Sequence, residues 1–437
     1  MKKVVVVGAG PAGLFAAEQL SGSFDVTVVE QAEFVGGAGL RSDGKFNFHP
    51  RVGGDLFEFL SEGEAWAVVE VVEKVFRELG VEEPKFNGVG LSELEARAMK
   101  VGMKFIAIRQ SHVGSDVLPQ IMERFKRRLE ASGVTFVLGK RVEDLEASGG
   151  RIRYAVADGE KIECDYIVLA PGRSGSEWLR KVAEKFRLKL KFNPIDIGVR
   201  VEVRNEVMDE IIKGYGCWDP KFHIRTPSYD DFVRTFCVCP SGFVVRENYG
   251  NSLFGVNGHS LKNSQSENTN FALLVRVSLT KPLENTTDYG RRIAQLTNTL
   301  GGGKPIIQRL GDLKKFRRST WERLERSYVR PTLKDVTPGD IAMAYPNRIL
   351  KDLTEGLEML DKVAPGINSE STLLYAPEIK FYAMRVVTDR RLRTAIPNLF
   401  VAGDGAGVSR GIVGAAATGI IAAMGIREAE GLPPLRV

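Results

Sequence analysis

Three glycines near the amino terminus have the spacing of a site for the phosphates of a dinucleotide. Gly8, Gly10 and Gly13 form a G-x-G-x-x-G motif directly after the apolar run Val4 to Val7. In this motif the first glycine permits a tight turn, the second lets the backbone approach a pyrophosphate, and the third lets helix and strand pack closely. Negative charge is favoured there because the first N–H groups of the following helix lack intrahelical partners.

A carboxylate further along the chain completes this pattern. Glu30 follows the apolar segment Phe24 to Val29, at the roughly 20-residue separation that dinucleotide-binding folds use. A carboxylate in this place accepts hydrogen bonds from ribose hydroxyls and repels a 2′-phosphate. Motif and carboxylate together predict a dinucleotide site rather than an ordinary strand-turn-helix.

Five further residues carry side chains suited to redox or acid–base chemistry: Lys45, Asp43, His112, Cys237 and Cys239. The two cysteines alternate along a predicted strand, so two thiols on one face could work beside a redox cofactor. Buried, inert cysteines are commoner, and that alternative stays open. The histidine precedes a predicted helix, where a structural role and acid–base work are equally compatible. We expect no metal site, because no His, Cys, Asp and Glu cluster has metal-ligand spacing.

The elements that position these residues predict an α/β fold in two parts. Val4 to Val7 and Asp165 to Ala170 read as buried strands of a parallel sheet. From about residue 191 onward, β-type runs follow one another without helices, which is typical of an inserted, mainly antiparallel domain. We therefore expect a discontinuous Rossmann-like domain over 1–190 and 371–437, a helical insertion at about 55–100, and an inserted substrate or cap domain over 191–370.

The second half of the nucleotide site resembles that of flavoproteins in the glutathione-reductase superfamily. The segment Asn398 to Asp404 is an apolar strand that ends in Gly-Asp, and Ile412 to Glu430 reads as a helix of small residues. The resemblance implies that Asp404 binds the ribityl chain of FAD and that the helix amino terminus faces the cofactor. It therefore implies FAD rather than NAD as the bound dinucleotide.

Motifs through the rest of the chain are similar to those of FAD-dependent dehydrogenases of this superfamily. They are Gly36 to Gly39 with Ser42 to Lys45, His112 to Asp116, Ile197 to Glu202, Phe236 to Gly242, Val256 to Gly258 and Ala402 to Gly407. The resemblance implies FAD and redox chemistry but names no substrate. Relatives often carry an amino-terminal extension that this sequence lacks, so functions that depend on it are not expected.

The motifs and the resemblance together predict which residues contact FAD. They are Gly8, Gly10, Pro11, Ala12, Gly13, Glu30, Gln31, Gly37, Ala38, Val142, Ala170, Gly172, Gly403, Asp404, Gly411 and Ile412.

Composition restricts the partners of the protein. With 61 basic and 55 acidic residues, the net charge of +6 is modest for 437 residues, and the clusters RFKRR and KKFRR at residues 124–128 and 314–318 are interpreted as solvated helix faces. Nucleic acid is therefore not expected as a partner. Four cysteines favour the reducing cytoplasm. The apolar stretch Ile412 to Ile426 is shorter than a membrane span and contains glycines, so no span is expected.

The combined interpretation is a cytoplasmic FAD-dependent oxidoreductase that acts on a small molecule, with the flavin accepting and donating hydride. Only one dinucleotide fingerprint is present in the sequence, so NAD(P)H as electron donor would have to visit transiently. Three alternatives remain: an isoprenoid double-bond reductase of the geranylgeranyl-reductase type, a flavoprotein of a tRNA modification system and a non-catalytic FAD-binding protein. Substrate and oligomeric state stay open.

Overall fold

The computed structural model describes residues 1–41, 44–84, 91–114, 117–250, 252–261, 264–282 and 284–435. The predicted catalytic residue Asp43 lies outside the described residues, as do Ser42, Ser115 and Asp116 of the family motifs. Within the described ranges the chain divides into two compact units. Unit 1 comprises 1–86, 108–193 and 382–437, and unit 2 comprises 87–107 and 194–381.

The strands are, in chain order, β1 Lys3–Val7, β2 Asp25–Glu30, β3 Lys45–Phe48, β4 Met103–Ile106, β5 Arg109–His112, β6 Thr135–Leu138, β7 Val142–Ser148, β8 Arg151–Ala157, β9 Glu160–Glu163, β10 Tyr166–Leu169, β11 Leu190–Lys191, β12 Ile195–Arg204, β13 Lys221–Arg225, β14 Phe232–Cys239, β15 Phe243–Gly250, β16 Leu253–His259, β17 Asn268–Val277, β18 Ile306–Arg309, β19 Thr337–Pro338, β20 Leu373–Lys380, β21 Arg385–Val386 and β22 Leu399–Val401. The helices are α1 Pro11–Leu20, α2 Glu62–Glu78, α3 Leu91–Lys100, α4 Leu118–Ala131, α5 Ser176–Lys185, α6 Asn205–Asp209, α7 Thr286–Leu300, α8 Leu310–Lys314, α9 Trp321–Glu325, α10 Asn347–Asp361 and α11 Gly411–Ala429.

A parallel sheet forms the centre of unit 1. Among the described residues its order is β22-β10-β1-β2-β6, and each neighbouring pair is parallel. The valines of β1 are buried, as expected for a strand with helices on both faces. Because the strands are parallel, their carboxyl ends lie at one edge of the sheet, where nucleotide sites form in such folds. The predicted Rossmann-like class is confirmed.

Helix α2 belongs to the core of unit 1 rather than to a separate insertion. Ser61 caps its amino terminus in a capping box with Glu64, and its apolar face, which includes Val68, Val72 and Phe76, is buried in the same core as the parallel sheet. The predicted insertion at about 55–100 is therefore divided. Helix α2 lies in unit 1, whereas α3 lies in unit 2.

Unit 2 is built on a mostly antiparallel sheet of the order β19-β18-β20-β12-β17-β14-β13-β4, as counted over the described residues. Apolar residues alternate along β12 and its neighbours and form one core with the buried face of α10. Gly356 of α10 lies so close to β14 and β17 that a Cβ there would meet Val233 and Leu273 at 3.3 Å. The predicted antiparallel part of the fold is thus present.

The unit boundaries differ from the predicted 191–370 at both ends. Strand β4 pairs with β13, so residues 87–107 join unit 2. Strand β20 pairs with β12 over most of its length, so the chain re-enters unit 1 at Tyr382 rather than at 371. Both differences arise from pairing between strands far apart in the sequence.

Candidate cofactor site

The turn after β1 is shaped by two glycines that admit no side chain. Gly8 has φ +101°, and a Cβ there would lie 2.2 Å from the carbonyl oxygen of Ala170. A Cβ at Gly13 would lie 1.9 Å from the carbonyl oxygen of Gly8. Gly10 differs from both, because a Cβ there would meet nothing within 4 Å. The middle glycine therefore keeps space open instead of permitting close packing, as a backbone that cradles phosphates requires.

Helix α1 presents the amino terminus that follows this turn. Gly10 stands at its cap position with extended backbone, no side chain caps the first turn, and Pro11 occupies the start of the helix. Proline suits that position because it lacks an N–H that would otherwise need a partner. The N–H groups of the first turn are thus left to a ligand, and the helix dipole favours an anionic one.

The carboxylate of Glu30 lies at the carboxyl end of β2 and is 9% exposed. Its Oε2 atom accepts a hydrogen bond from the amide of Ala9 at 2.7 Å, and its Oε1 atom accepts one from the amide of Ala32 at 3.0 Å. Each carboxylate oxygen has a second lone pair, so the group can still accept hydrogen bonds from hydroxyls. Gln31 beside it is exposed.

Three further predicted contacts, Gly37, Ala38 and Val142, lie beside the glycine-rich turn and the end of β2. The amide of Gly36 donates to the carbonyl of Ala9 at 2.7 Å, and a Cβ at Gly37 would come within 3.5 Å of the Cα of Gly10. Gly37 and Ala38 are exposed. The amide of Lys140 donates to the carbonyl of Glu30 at 3.1 Å, which brings the buried Val142, two residues later, to the same edge.

Asp404 follows β22 and is held by the start of α11. Its Oδ1 atom accepts a hydrogen bond from the hydroxyl of Ser409 at 3.0 Å, and its Oδ2 atom accepts one from the amide of Gly411 at 3.3 Å. Burial raises the pKa of Asp404, while the charges of Arg173 and Arg410 and these two hydrogen bonds act in the opposite direction. The side chain is only half-buried by its accessible surface, so an approaching hydroxyl can reach it.

The amino-terminal halves of α1 and α11 pack against each other through glycine. A Cβ at Gly419 would lie 2.0 Å from the carbonyl oxygen of Ala12, and one at Gly403 would lie 3.0 Å from the Cβ of Ala12. A Cβ at Gly405 would lie 2.2 Å from the carbonyl oxygen of Gly172. These contacts bring the segments after β1, β10 and β22 together at the carboxyl edge of the sheet.

The residues present at this edge fit an FAD. Glu30 supplies acceptors for a ribose, the open turn at Gly10 and the uncapped first turn of α1 suit a pyrophosphate, and Asp404 supplies a carboxylate for a polyol. All of the predicted FAD contacts fall in unit 1. The structure therefore brings the two halves of the predicted site, more than 350 residues apart in the sequence, into one unit.

Several residues of this edge escaped the sequence interpretation. Arg173 and Arg410 act on the pKa of Asp404, and Arg410 stacks on the ring of Tyr382 at 4.4 Å. Gly53 packs against the start of α11, since a Cβ there would lie 2.2 Å from the carbonyl oxygen of Arg410. The sequence signal that could have indicated Arg410 was Ser-Arg-Gly at 409–411, where α11 begins. Gly53 had no local signal, because its partner is distant in the sequence.

Two of the predicted catalytic residues are neighbours in unit 1. Lys45 on β3 lies directly opposite His112 on the antiparallel strand β5. Directly opposed residues of an antiparallel pair share one face. His112 is exposed and Lys45 is half-buried. The pair places an amine and an imidazole side by side, a combination that can bind an anion or exchange a proton.

The two cysteines lie in unit 2, on β14. Both are free thiols. Cys237 has φ +82° where the register of β14 shifts, and its carbonyl oxygen accepts a hydrogen bond from Nη2 of the fully buried Arg200 at 2.8 Å. The same Nη2 atom lies 3.4 Å from Sγ of Cys239. Burial alone would lower the pKa of Arg200, but Glu378 at 3.4 Å and the two cysteines raise it. This geometry makes the pair part of a buried polar cluster.

Neither a metal centre nor an exposed membrane helix emerges from the residues that the structure describes. In those ranges no group of three or more His, Cys, Asp or Glu side chains is arranged to hold a metal ion. Helix α11 alone of the described helices is long and apolar enough to cross a membrane, and 83% of its most apolar window is buried inside the protein. Burial of this extent is typical of a core helix.

Three family models match the chain. The model described as "FAD-dependent protein, C-terminal domain-like" matches residues 194–380, which coincide with the larger part of unit 2. The model of an NAD(P)-binding Rossmann-like domain matches residues 6–70, and that of pyridine nucleotide-disulphide oxidoreductases matches residues 89–204.

Comparisons with individual proteins give more distant similarity. An uncharacterized protein of Clostridium beijerinckii is 27% identical over 455 residues, covering 98% of this chain and 81% of that protein. Among solved structures, L-proline dehydrogenase of P. horikoshii is 13% identical with a TM-score of 0.44, over 100% of this chain and 95% of that one. Glycine oxidase of Bacillus cereus is 13% identical with a TM-score of 0.41, over 99% and 95%. With the Rossmann-like sheet of unit 1, the family models identify the chain as an FAD-dependent oxidoreductase.

Proposed function

We propose that the protein is a flavin-dependent dehydrogenase or reductase of a small molecule, from the FAD-dependent dehydrogenases of the glutathione-reductase superfamily. FAD supplies the hydride chemistry when bound, whereas the protein supplies binding, orientation and electrostatics. The observation that carries the proposal is the packing of the amino-terminal half of α11 on α1, which brings together the first turn of α1, where no side chain caps the helix, and the Asp404 carboxylate, which accepts a hydrogen bond from the amide of Gly411.

In this proposal the residues of unit 1 divide the cofactor between them. Glu30 would accept hydrogen bonds from the adenosine ribose, Gly10 and the first turn of α1 would receive the pyrophosphate, and Asp404 would bind the ribityl chain. Gly411 and Ile412 would place the amino terminus of α11 near the flavin ring. A helix amino terminus stabilises a nearby negative charge by about 1 kcal/mol, or somewhat more where the site is partly buried.

Substrate binding is assigned to unit 2 and acid–base work to unit 1. Lys45 and His112 are the proposed proton-handling pair, because their opposition on β3 and β5 lets either one hold a proton beside the other. NAD(P)H is proposed as a visiting electron donor. The four free cysteines support a reducing compartment, the cytoplasm.

The experiment is to purify the protein and identify the released cofactor by chromatography against FAD, FMN and NAD standards. We expect FAD at about one per chain. The holoprotein is then mixed anaerobically with NADH, NADPH, and panels of amino acids and 2-hydroxy acids, and bleaching of the visible flavin band is followed. Stoichiometric FMN or NAD would overturn the cofactor assignment. FAD that no donor reduces would overturn the dehydrogenase proposal while leaving the cofactor intact.

A further inference from the structure

A short segment of unit 2 has a high local net positive charge. Residues 314–330, which span the end of α8, all of α9 and the following loop, contain seven basic and two acidic residues. This excess of five compares with +6 for the whole chain. Asp312, Glu358 and Glu370 pair with this segment from outside it and offset part of the excess, and the positive charge that is left attracts anionic partners.

The same segment exposes three large aromatic side chains. Phe316 is 87% exposed, Tyr328 is 85% exposed and Trp321 is 47% exposed. Single exposed apolar residues are ordinary on protein surfaces, but clusters of them mark interaction sites.

Two anchors fix this segment to neighbouring parts of unit 2. Buried Asp312 pairs with Arg317 at 2.7 Å and accepts a hydrogen bond from the hydroxyl of Ser319 at 2.8 Å, and its Oδ1 atom lies 3.9 Å from Arg323. The second anchor is the segment 370–371. Glu370 pairs with Lys315 at 2.7 Å, and Oγ of Ser371 lies 3.4 Å from the amide of Tyr328. We call residues 314–330 the basic aromatic patch.

Both the backbone conformation of Phe316 and the exposure of its ring are energetically unfavourable. Phe316 follows the carboxyl end of α8 with φ +52°, a left-handed conformation that is usually left to glycine at this position of a helix. Its ring is also almost fully in water. A bulky residue that is both strained and exposed is better explained by a partner that covers it than by the stability of this fold.

The second basic cluster of the chain differs from this patch in the burial of its phenylalanine. In 124–128, on α4, Phe125 is fully buried and Arg128 pairs with both Glu18 and Glu78. Lys126 and Arg127 pair with acids one turn away on their own helix. That cluster is the solvated helix face predicted for both, whereas the basic aromatic patch turns its phenylalanine outward.

We propose that the basic aromatic patch docks the protein peripherally on an anionic lipid surface. Lysines and arginines near such a surface contribute about 1 kcal/mol each, and Trp and Tyr favour the headgroup level. The ring of Phe316 has no polar group and would gain by leaving water for the acyl boundary. RNA is less well matched, since base stacking uses aromatic platforms on sheets or in grooves, and these three aromatics occupy helix ends and a loop. The proposal rests on exposed residues and not on the proposed function.

The test is flotation of the purified holoprotein with phosphatidylcholine vesicles that contain or lack phosphatidylglycerol. We expect co-flotation with the anionic vesicles only, weakened by added salt. Phe316→Ser and Arg318→Glu should each lower the vesicle affinity roughly fivefold or more, the equivalent of about 1 kcal/mol. Flavin content and circular dichroism check that both variants fold.

Matched controls are Met99→Ser, which removes a 70% exposed apolar side chain from α3, and Arg127→Glu, which reverses a 75% exposed charge on α4. Both should float like the wild type. Failure of the wild type to bind anionic vesicles, or an equal loss in patch and control variants, would overturn the proposal. So would a gel shift of transfer RNA that depends on Phe316 and Arg318 in a protein that does not float.

Discussion

The carboxylate of Glu30 accepts a hydrogen bond from the amide of Ala9 at 2.7 Å, which joins the end of β2 to the glycine-rich turn after β1. The residue expected to receive a ribose thus also holds the backbone expected to receive a pyrophosphate. Its second oxygen is engaged by the amide of Ala32. Two backbone donors that converge on one side chain make this carboxylate a structural part of the turn as well as a binding group.

Glu30→Gln should therefore loosen FAD without abolishing flavin reduction. An amide has one acceptor oxygen, so its NH₂ group must face either Ala9 N–H or Ala32 N–H, and a charged acceptor for ribose is lost. A hydrogen bond to a charged group contributes roughly 1.5–3 kcal/mol, or about ten- to a hundredfold in Kd. Fluorescence titration of the apoprotein with FAD measures this. The exposed Glu33→Gln in the same loop is the control, and abolished reduction in fully loaded Glu30→Gln would contradict a pure binding role.

Gly10→Ala and Gly13→Ala should have different effects, although the motif contains both. A Cβ at position 13 would lie 1.9 Å from a backbone oxygen, so Gly13→Ala should destabilise the apoprotein by about 1–3 kcal/mol or more. A Cβ at position 10 meets nothing, so Gly10→Ala should change the free energy of unfolding by less than about 0.5 kcal/mol. It should nevertheless weaken FAD binding about tenfold or more. Urea unfolding and FAD titration separate the two, and undiminished FAD affinity in Gly10→Ala would show that the open space is not used.

Asp404→Asn should stabilise the apoprotein at neutral pH while weakening FAD binding. Burial raises the pKa of Asp404 above 3.8, so the folded state favours the neutral carboxyl. The neutral carboxyl contributes to the free energy of unfolding. This contribution is complete below pH 3.8 and is lost as the pH rises through the pKa of Asp404 in the folded protein. The stability advantage of Asp404→Asn should accordingly grow from about pH 4 upward and then level off. Unfolding curves across this pH range test the prediction. If the free energy of unfolding of the wild type rose with pH relative to that of Asp404→Asn, the assignment would be contradicted.

The cysteine pair on β14 should not store electrons. Both thiols are free, and Cys239 is almost completely buried beside Arg200. Reductive titration of the oxidised holoprotein should therefore consume two electrons per FAD, the capacity of flavin alone. Uptake of four electrons, falling to two in Cys237→Ser, would show instead that a disulfide takes part. Cys164→Ser, which changes a buried thiol in unit 1, is the matched control.

Local patterns in the sequence were sufficient to predict the nucleotide-binding half of the fold. The four valines of β1, the glycine spacing and Glu30 are close together in the chain, and each follows from backbone sterics or from burial on both faces of a strand. The parallel sheet and the antiparallel second part were predicted from such runs. The boundaries were not, because β4 and β20 belong to unit 2 only through pairing with β13 and β12, far away in the sequence.

The two clusters RFKRR and KKFRR show most directly what local sequence cannot predict. Each places one phenylalanine among four basic residues, and composition assigns both to the same kind of surface. On α4 the ring of Phe125 packs edge-on against Phe15 of α1 at 5.0 Å, because that face of the helix lies in the core of unit 1. After α8 the chain leaves the helix at Lys315, and the next residue, Phe316, points into water. Burial depends on where a helix ends and on what lies opposite, and only the tertiary structure decides both.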